Sequence, residues 1–196
     1  MPRERRPGRL GRDTRATTAV EFGMVALPFL MLLLFVFELS YDLFSQAALD
    51  NALQLAARQL QTGNAQNVKD GNDFITKYLC PDLGGLLACS GVYIKVAKIA
   101  PSSTQDYYDY TTGALPTSGG TLDLSSYAAA SFCNAGPAQL LLVSAVYVGP
   151  AFLGGLLPGV LSVPYNGSRV HASLATVGLV SESYVPTSGT GGAKPC

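Results

Sequence analysis

Arg15-Ala16-Thr17-Thr18-Ala19-Val20-Glu21-Phe22 opens an apolar stretch, and Phe22 to Phe37, FGMVALPFLMLLLFVF, runs sixteen residues without a charge. Thr17 to Val20 are small or apolar and extend the run toward the N-terminus; Glu21 interrupts it. From Thr17 to Leu39 the stretch is long enough, at about 1.5 Å per helical residue, to cross a hydrocarbon layer of roughly 30 Å. A carboxylate inside such a helix costs on the order of 2.5–3.5 kcal/mol at the bilayer centre and less near an interface. That cost marks Glu21 as a candidate functional residue.

The flanks of the run are unequal. Residues 1–16 carry six arginines against Glu4 and Asp13, a balance of +4, and the rest of the 196-residue chain balances at −4. A basic flank keeps its side of a membrane helix cytoplasmic, which places residues 40 onward in the periplasm or outside. Only 13% of the chain is charged and 48% is hydrophobic, a composition suited to a membrane-anchored protein. An arginine-rich arm could instead bind nucleic acid, but the apolar span directly behind it argues against that. A secretory signal peptide would have a shorter apolar core and a small-x-small cleavage site, and Phe37-Glu38-Leu39-Ser40-Tyr41 offers none.

Helical periodicity continues past the span. Leu49, Leu53, Ala56 and Leu60 share one face, and Asp50, Gln54, Arg58 and Gln61 lie toward the other. Gly63 and Asn64 supply a stop. The predicted helix, from about Thr17 to Thr62, would be roughly 69 Å long, its first half apolar all round and its second half amphipathic. Pro28 within it lacks the N–H that would bond the Met24 carbonyl, so the helix loosens or bends there.

The remaining chain reads as a small α+β domain. Residues 64–72 form a polar connection, and Asn72 is the expected cap of a short helix bearing Phe74, Ile75, Tyr78 and Leu79. Strands are predicted over Gly91–Ile99, Gln139–Gly149 and Val170–Val180, with Asn166-Gly167 as a turn before the last. Residues 102–136 read as loops, with Thr117–Gly120 a flexible turn and Tyr107, Tyr108 and Tyr110 an aromatic cluster. The expected fold is thus a long transmembrane-plus-amphipathic helix on a small antiparallel sheet. Its segments are 1–16 (basic leader), 17–39 (transmembrane), 40–63 (amphipathic helix), 64–185 (periplasmic α+β domain) and 186–196 (mobile tail).

Four cysteines, Cys80, Cys89, Cys133 and Cys196, allow two bridges and three connectivities in an oxidising compartment. The short Cys80–Cys89 loop closes at little entropic cost, which leaves Cys133 with Cys196. Zinc is disfavoured by the lack of C-x-x-C and by a single histidine, His171, which reads as a surface or partly satisfied strand residue. No catalytic constellation, metal site or cofactor motif is recognisable. The connection Gly149–Pro164 carries Phe152, Leu156 and Leu157 but no charge, and these three residues are expected to contact a protein partner or the outer bilayer leaflet, the alternative being a loop folded over the sheet edge as a lid on the core.

Thr17-Thr-Ala-Val-Glu-Phe22, with arginines before it and Leu27-Pro28 after it, resembles the N-terminus of TadE-like pseudopilins. These are minor components of the tight-adherence, Flp-type branch of the type IVb pilus machinery. The order of a short helix, spaced cysteines, a strand, a Gly-Pro turn and two long strands also matches that family's layout. The resemblance implies removal of the leader by a prepilin peptidase between Ala16 and Thr17, with Glu21 the fifth mature residue. Ala16 stands where the family usually has glycine. It further implies that Glu21 pairs with a neighbouring subunit's new N-terminus, and that Glu21, Phe22 and Pro28 serve subunit packing. Implied partners are other pilins and pseudopilins, the peptidase, the inner-membrane pilus platform and the lipid bilayer, with no nucleic acid. Taken without the resemblance, the residues also fit a bitopic periplasmic interaction or sensor module unrelated to pili.

Overall fold

The computed structural model describes residues 14–85, 87–99, 115–128, 132–154, 162–183 and 196, with the side chains of 14–17 outside that description. Helix α1 spans Thr14–Gln61 and continues unbroken through Pro28. The chain divides between Phe37 and Glu38 into two compact units, so the first contains only the N-terminal part of α1.

In the second unit, α1 buries the face that its spacing predicts. Leu49, Ala52, Leu53, Ala56 and Leu60 are all at most 1% exposed. The alanines at 52, 56 and 57 let the helix approach closely, and their neighbours in the core come from the central strands: Leu141, Val143, Ala145, Tyr147, Ala175 and Leu179. Gly63, at φ +76°, turns the chain out of the helix; its N–H donates to the Leu60 carbonyl and that of Ala65 to Gln59.

The sheet contains β1 (Val92–Lys98), β4 (Leu140–Pro150), β5 (Val163–Tyr165) and β6 (Ser168–Val180), in the antiparallel order β1-β4-β6-β5. Two further short strands, β2 (Thr117–Ser118) and β3 (Thr121–Leu122), pair as a separate hairpin. β4 is the hub. Seven consecutive residues, Leu141–Tyr147, are buried, as a strand covered on both faces requires. One face meets α1; the other packs Val146 with Leu122, Leu124 and Tyr127. β1 alternates instead, with Val92, Ile94 and Val96 inward.

Two local expectations are corrected, and one edge strand is added. The cap of the short helix Gly71–Phe74 is Asp70, not Asn72: Asp70 has extended backbone and its Oδ1 accepts the Asp73 N–H at 2.9 Å, which satisfies an otherwise orphaned donor. Asn72 lies inside the helix, and its carbonyl accepts from the Thr76 hydroxyl. Thr117–Leu122 is a hairpin rather than a loose turn, because Gly119 and Gly120 at φ +59° and +79° supply the left-handed pair that a two-residue connection needs. Val163-Pro164-Tyr165 forms a strand despite its proline; it lies at the sheet edge, where no outward N–H is required. Asn166-Gly167, at φ +47° and +78°, makes the tight connection to β6.

Cys80 is bonded to Cys89 and Cys133 to Cys196. The second bridge closes a separation of 63 residues, and the Cys196 N–H also donates to the Asn134 carbonyl at 2.9 Å. Asn134 in turn donates to the carbonyls of Ala65 and Gln66, which ties the chain end to the turn that follows α1.

Candidate functional site

The N-terminal part of α1 presents apolar side chains in every direction. Its 18-residue window has a mean hydropathy of 2.4 and none of it is buried. Phe22 and Met24 are each 74% exposed. A helix apolar all round and uncovered by its own chain is suited to lipid rather than water. It is long and apolar enough to cross a membrane, as a single-pass anchor requires.

Glu21 is exposed on this helix, one turn beyond Thr17. Ala16, Thr17, Glu21 and Phe22 therefore share one continuous helical segment, with Pro28 further along it. Leu156 and Leu157 lie outside the described residues, as do Tyr107, Tyr108 and Tyr110. Phe152 is 68% exposed, whereas Leu153 beside it is buried and holds the loop to the domain.

A second constellation, not foreseen from the sequence, lies where α1 leaves the apolar run. Ser45 Oγ lies 2.8 Å from His171 Nε2 and 3.1 Å from Ser173 Oγ, and it donates to the Asp42 carbonyl at 2.9 Å. His171 Nε2 also lies 2.9 Å from Ser173 Oγ and 3.3 Å from Asp42 Oδ1. Of the two readings, a surface or a partly satisfied strand residue, His171 takes the second: it is 2% exposed and hydrogen-bonded within β6 and to α1. Register explains this: the odd-numbered positions 171, 173, 175 and 179 of β6 face α1, and the two polar ones meet the polar part of the helix.

The trio of serine, histidine and aspartate is not arranged for nucleophilic catalysis. In such a triad the acid orients one ring nitrogen while the other receives the nucleophile's proton. Here Asp42, Ser45 and Ser173 all converge on Nε2. The cluster instead clasps α1 to β6, aided by Gln46, whose amide donates to the Leu174 carbonyl at 2.7 Å.

One turn earlier on the helix, Glu38 is 5% exposed, and its Oε1 accepts the Phe152 N–H at 3.1 Å. Its Oε2 has no hydrogen-bond partner among the described residues. Tyr41 packs edge-on against both Phe152 and His171, with ring centroids 5.6 and 5.5 Å apart, and its hydroxyl lies 3.3 Å from that of Tyr147. Burial, then the Tyr147 hydrogen bond, pushes the Tyr41 hydroxyl well above the usual phenol range. Glu38, Asp42 and Ser45 recur at helical spacing on the face that later carries Leu49, a polar stripe that is visible in the sequence once sought.

No curated protein and no solved structure matches the chain. Residues 16–58, from the start of the apolar helix through most of its amphipathic continuation, match the family described as TadE-like protein, the family that Thr17–Phe22 resembles.

Proposed function

We propose that the chain is a TadE-like minor pseudopilin, a structural component in the biogenesis of a type IVb tight-adherence pilus and in the surface attachment such a pilus provides. The observation that carries this reading is the family match over residues 16–58, which coincides with the apolar helix bearing Glu21. The basic leader lies in the cytoplasm, α1 crosses a bacterial inner membrane once, and the sheet domain is periplasmic, where its cysteines oxidise. Its partners are other pilins and pseudopilins, the prepilin peptidase and the inner-membrane platform. Glu21 neutralises the amino group of a neighbouring subunit, and Phe22 and Pro28 shape the packing of helix on helix.

Leader removal tests the assignment chemically. Intact mass of the protein extracted from membranes is expected to lack residues 1–16, leaving Thr17 as the new N-terminus. Full-length protein alone, in cells with an active peptidase, would count against it and favour a bitopic module outside pilus assembly.

A further inference from the structure

We infer that Phe152, with residues 151–154 around it, forms a second contact with lipid, seated in the interfacial layer of the bilayer that α1 enters. This rests on reading α1 as a membrane anchor.

The first ground is position along the helix. Glu38 follows directly on the charge-free run, and it holds the backbone of Phe152 through Oε1. Tyr41, less than one turn on, packs against the Phe152 ring. Phe152 is therefore held at Glu38 and Tyr41, the residues that directly follow the charge-free run in the chain. Helix and sheet run alongside each other from there: Ser45 meets His171, Gln46 meets Leu174, and the Gln61 carbonyl accepts the Glu182 N–H. The Phe152 end of the sheet is thus the end from which the chain leads back into the apolar run.

The second ground is continuity of apolar surface. Beyond Glu38 the helix still exposes Leu43 (63%) and Phe44 (45%). Phe44 lies about 9 Å past Glu38 at about 1.5 Å per residue, so apolar side chains meet the surroundings through a layer comparable to the headgroup region. Phe152 lies within that layer.

The third ground is chemistry. An aromatic ring at this depth is favoured where hydrocarbon gives way to headgroups. Arg169 is exposed on the adjoining strand with its Cβ close to Gly154, two residues from Phe152, and its guanidinium donates to the Ser162 carbonyl at 3.4 Å, so a cation is available at this end of the sheet. The occupant is therefore a lipid surface rather than a protein.

The chain has no tryptophan, so single tryptophans report without background. Phe152→Trp is compared in the full chain, reconstituted alone in vesicles of brominated phospholipid, with Val180→Trp and Leu32→Trp. Val180 is similarly exposed, at 56%, and pairs with Leu140, ten β4 residues from Pro150, or roughly 33 Å. Ala151→Trp is the second probe of the loop, and it replaces Phe152→Trp if thermal unfolding shows that variant to be destabilised.

The inference expects the loop tryptophan to emit to the blue of Val180→Trp, to be quenched by brominated lipid and to be shielded from aqueous acrylamide. Loop emission and quenching that match Val180→Trp, with Leu32→Trp quenched by lipid, overturn the loop contact and leave the anchor intact; a protein occupant gives this result. Lipid quenching absent at Leu32 as well overturns the anchor and the loop contact together.

Discussion

Glu21→Ala is expected to abolish piliation while the protein still inserts in the membrane and loses its leader. Removing the carboxylate eases insertion, since the charge itself costs on the order of 2.5–3.5 kcal/mol at mid-bilayer and less toward an interface. On the proposed function, what is lost is the partner for the amino group at Thr17 of a neighbouring subunit. Two unit charges about 4 Å apart attract by about 4 kcal/mol at an effective dielectric of about 20, so an unpaired ammonium in the membrane is a large penalty on joining a filament or priming complex. Counting pili by electron microscopy, with membrane fractionation and intact mass as controls, checks this. Normal pili on the Glu21→Ala strain would remove the residue from assembly.

Leu53→Ala carries the largest expected effect on folding. Leu53 is fully buried in the core shared by α1, β4 and β6. Truncation leaves a cavity and loses transfer free energy, together about 2–5 kcal/mol. In a chain of this size each kcal/mol lowers the melting temperature by about 2–4 °C. Leu55, two positions along the same helix, is 43% exposed, and Leu55→Ala should change stability by no more than about 0.5 kcal/mol. Thermal unfolding of the full chain in detergent separates the two. Equal losses at both positions would contradict the packing of α1 described above.

Much of this architecture was legible because burial imposes a period. Leu49, Leu53, Ala56 and Leu60 could be read as one helix face, and the run of β4, apolar and rich in valine apart from Ser144, could be read as a strand. What was not legible followed from exceptions to the same rules. His171 and Ser173 are polar, so β6 shows no apolar alternation at its start; they are buried because Ser45 and Asp42 meet them across the interface. That pairing depends on two segments more than a hundred residues apart in the chain, and neither announces the other. β5 was hidden by Pro164, which an edge strand tolerates. Asp70 and Asn72 are both competent caps by residue type, and only the backbone around Asp70 decides between them.

The same contrast holds for the functional residues. The motif Thr17–Phe22 is local and could be read directly, because a charge within an apolar helix stands out against its surroundings. The anchoring of Phe152 could not be read, since it depends on Glu38 capping a loop 114 residues away. Glu38 looks like the first polar residue after a span, and its burial is visible only once the sheet is in place beside it.

The central claim, that this protein serves pilus assembly, is tested most directly by deleting its gene in the native host and imaging the cell surface. Loss or severe reduction of tight-adherence pili is expected, restored by the wild-type chain supplied in trans. Pili of normal number and length on the deletion strain would contradict it.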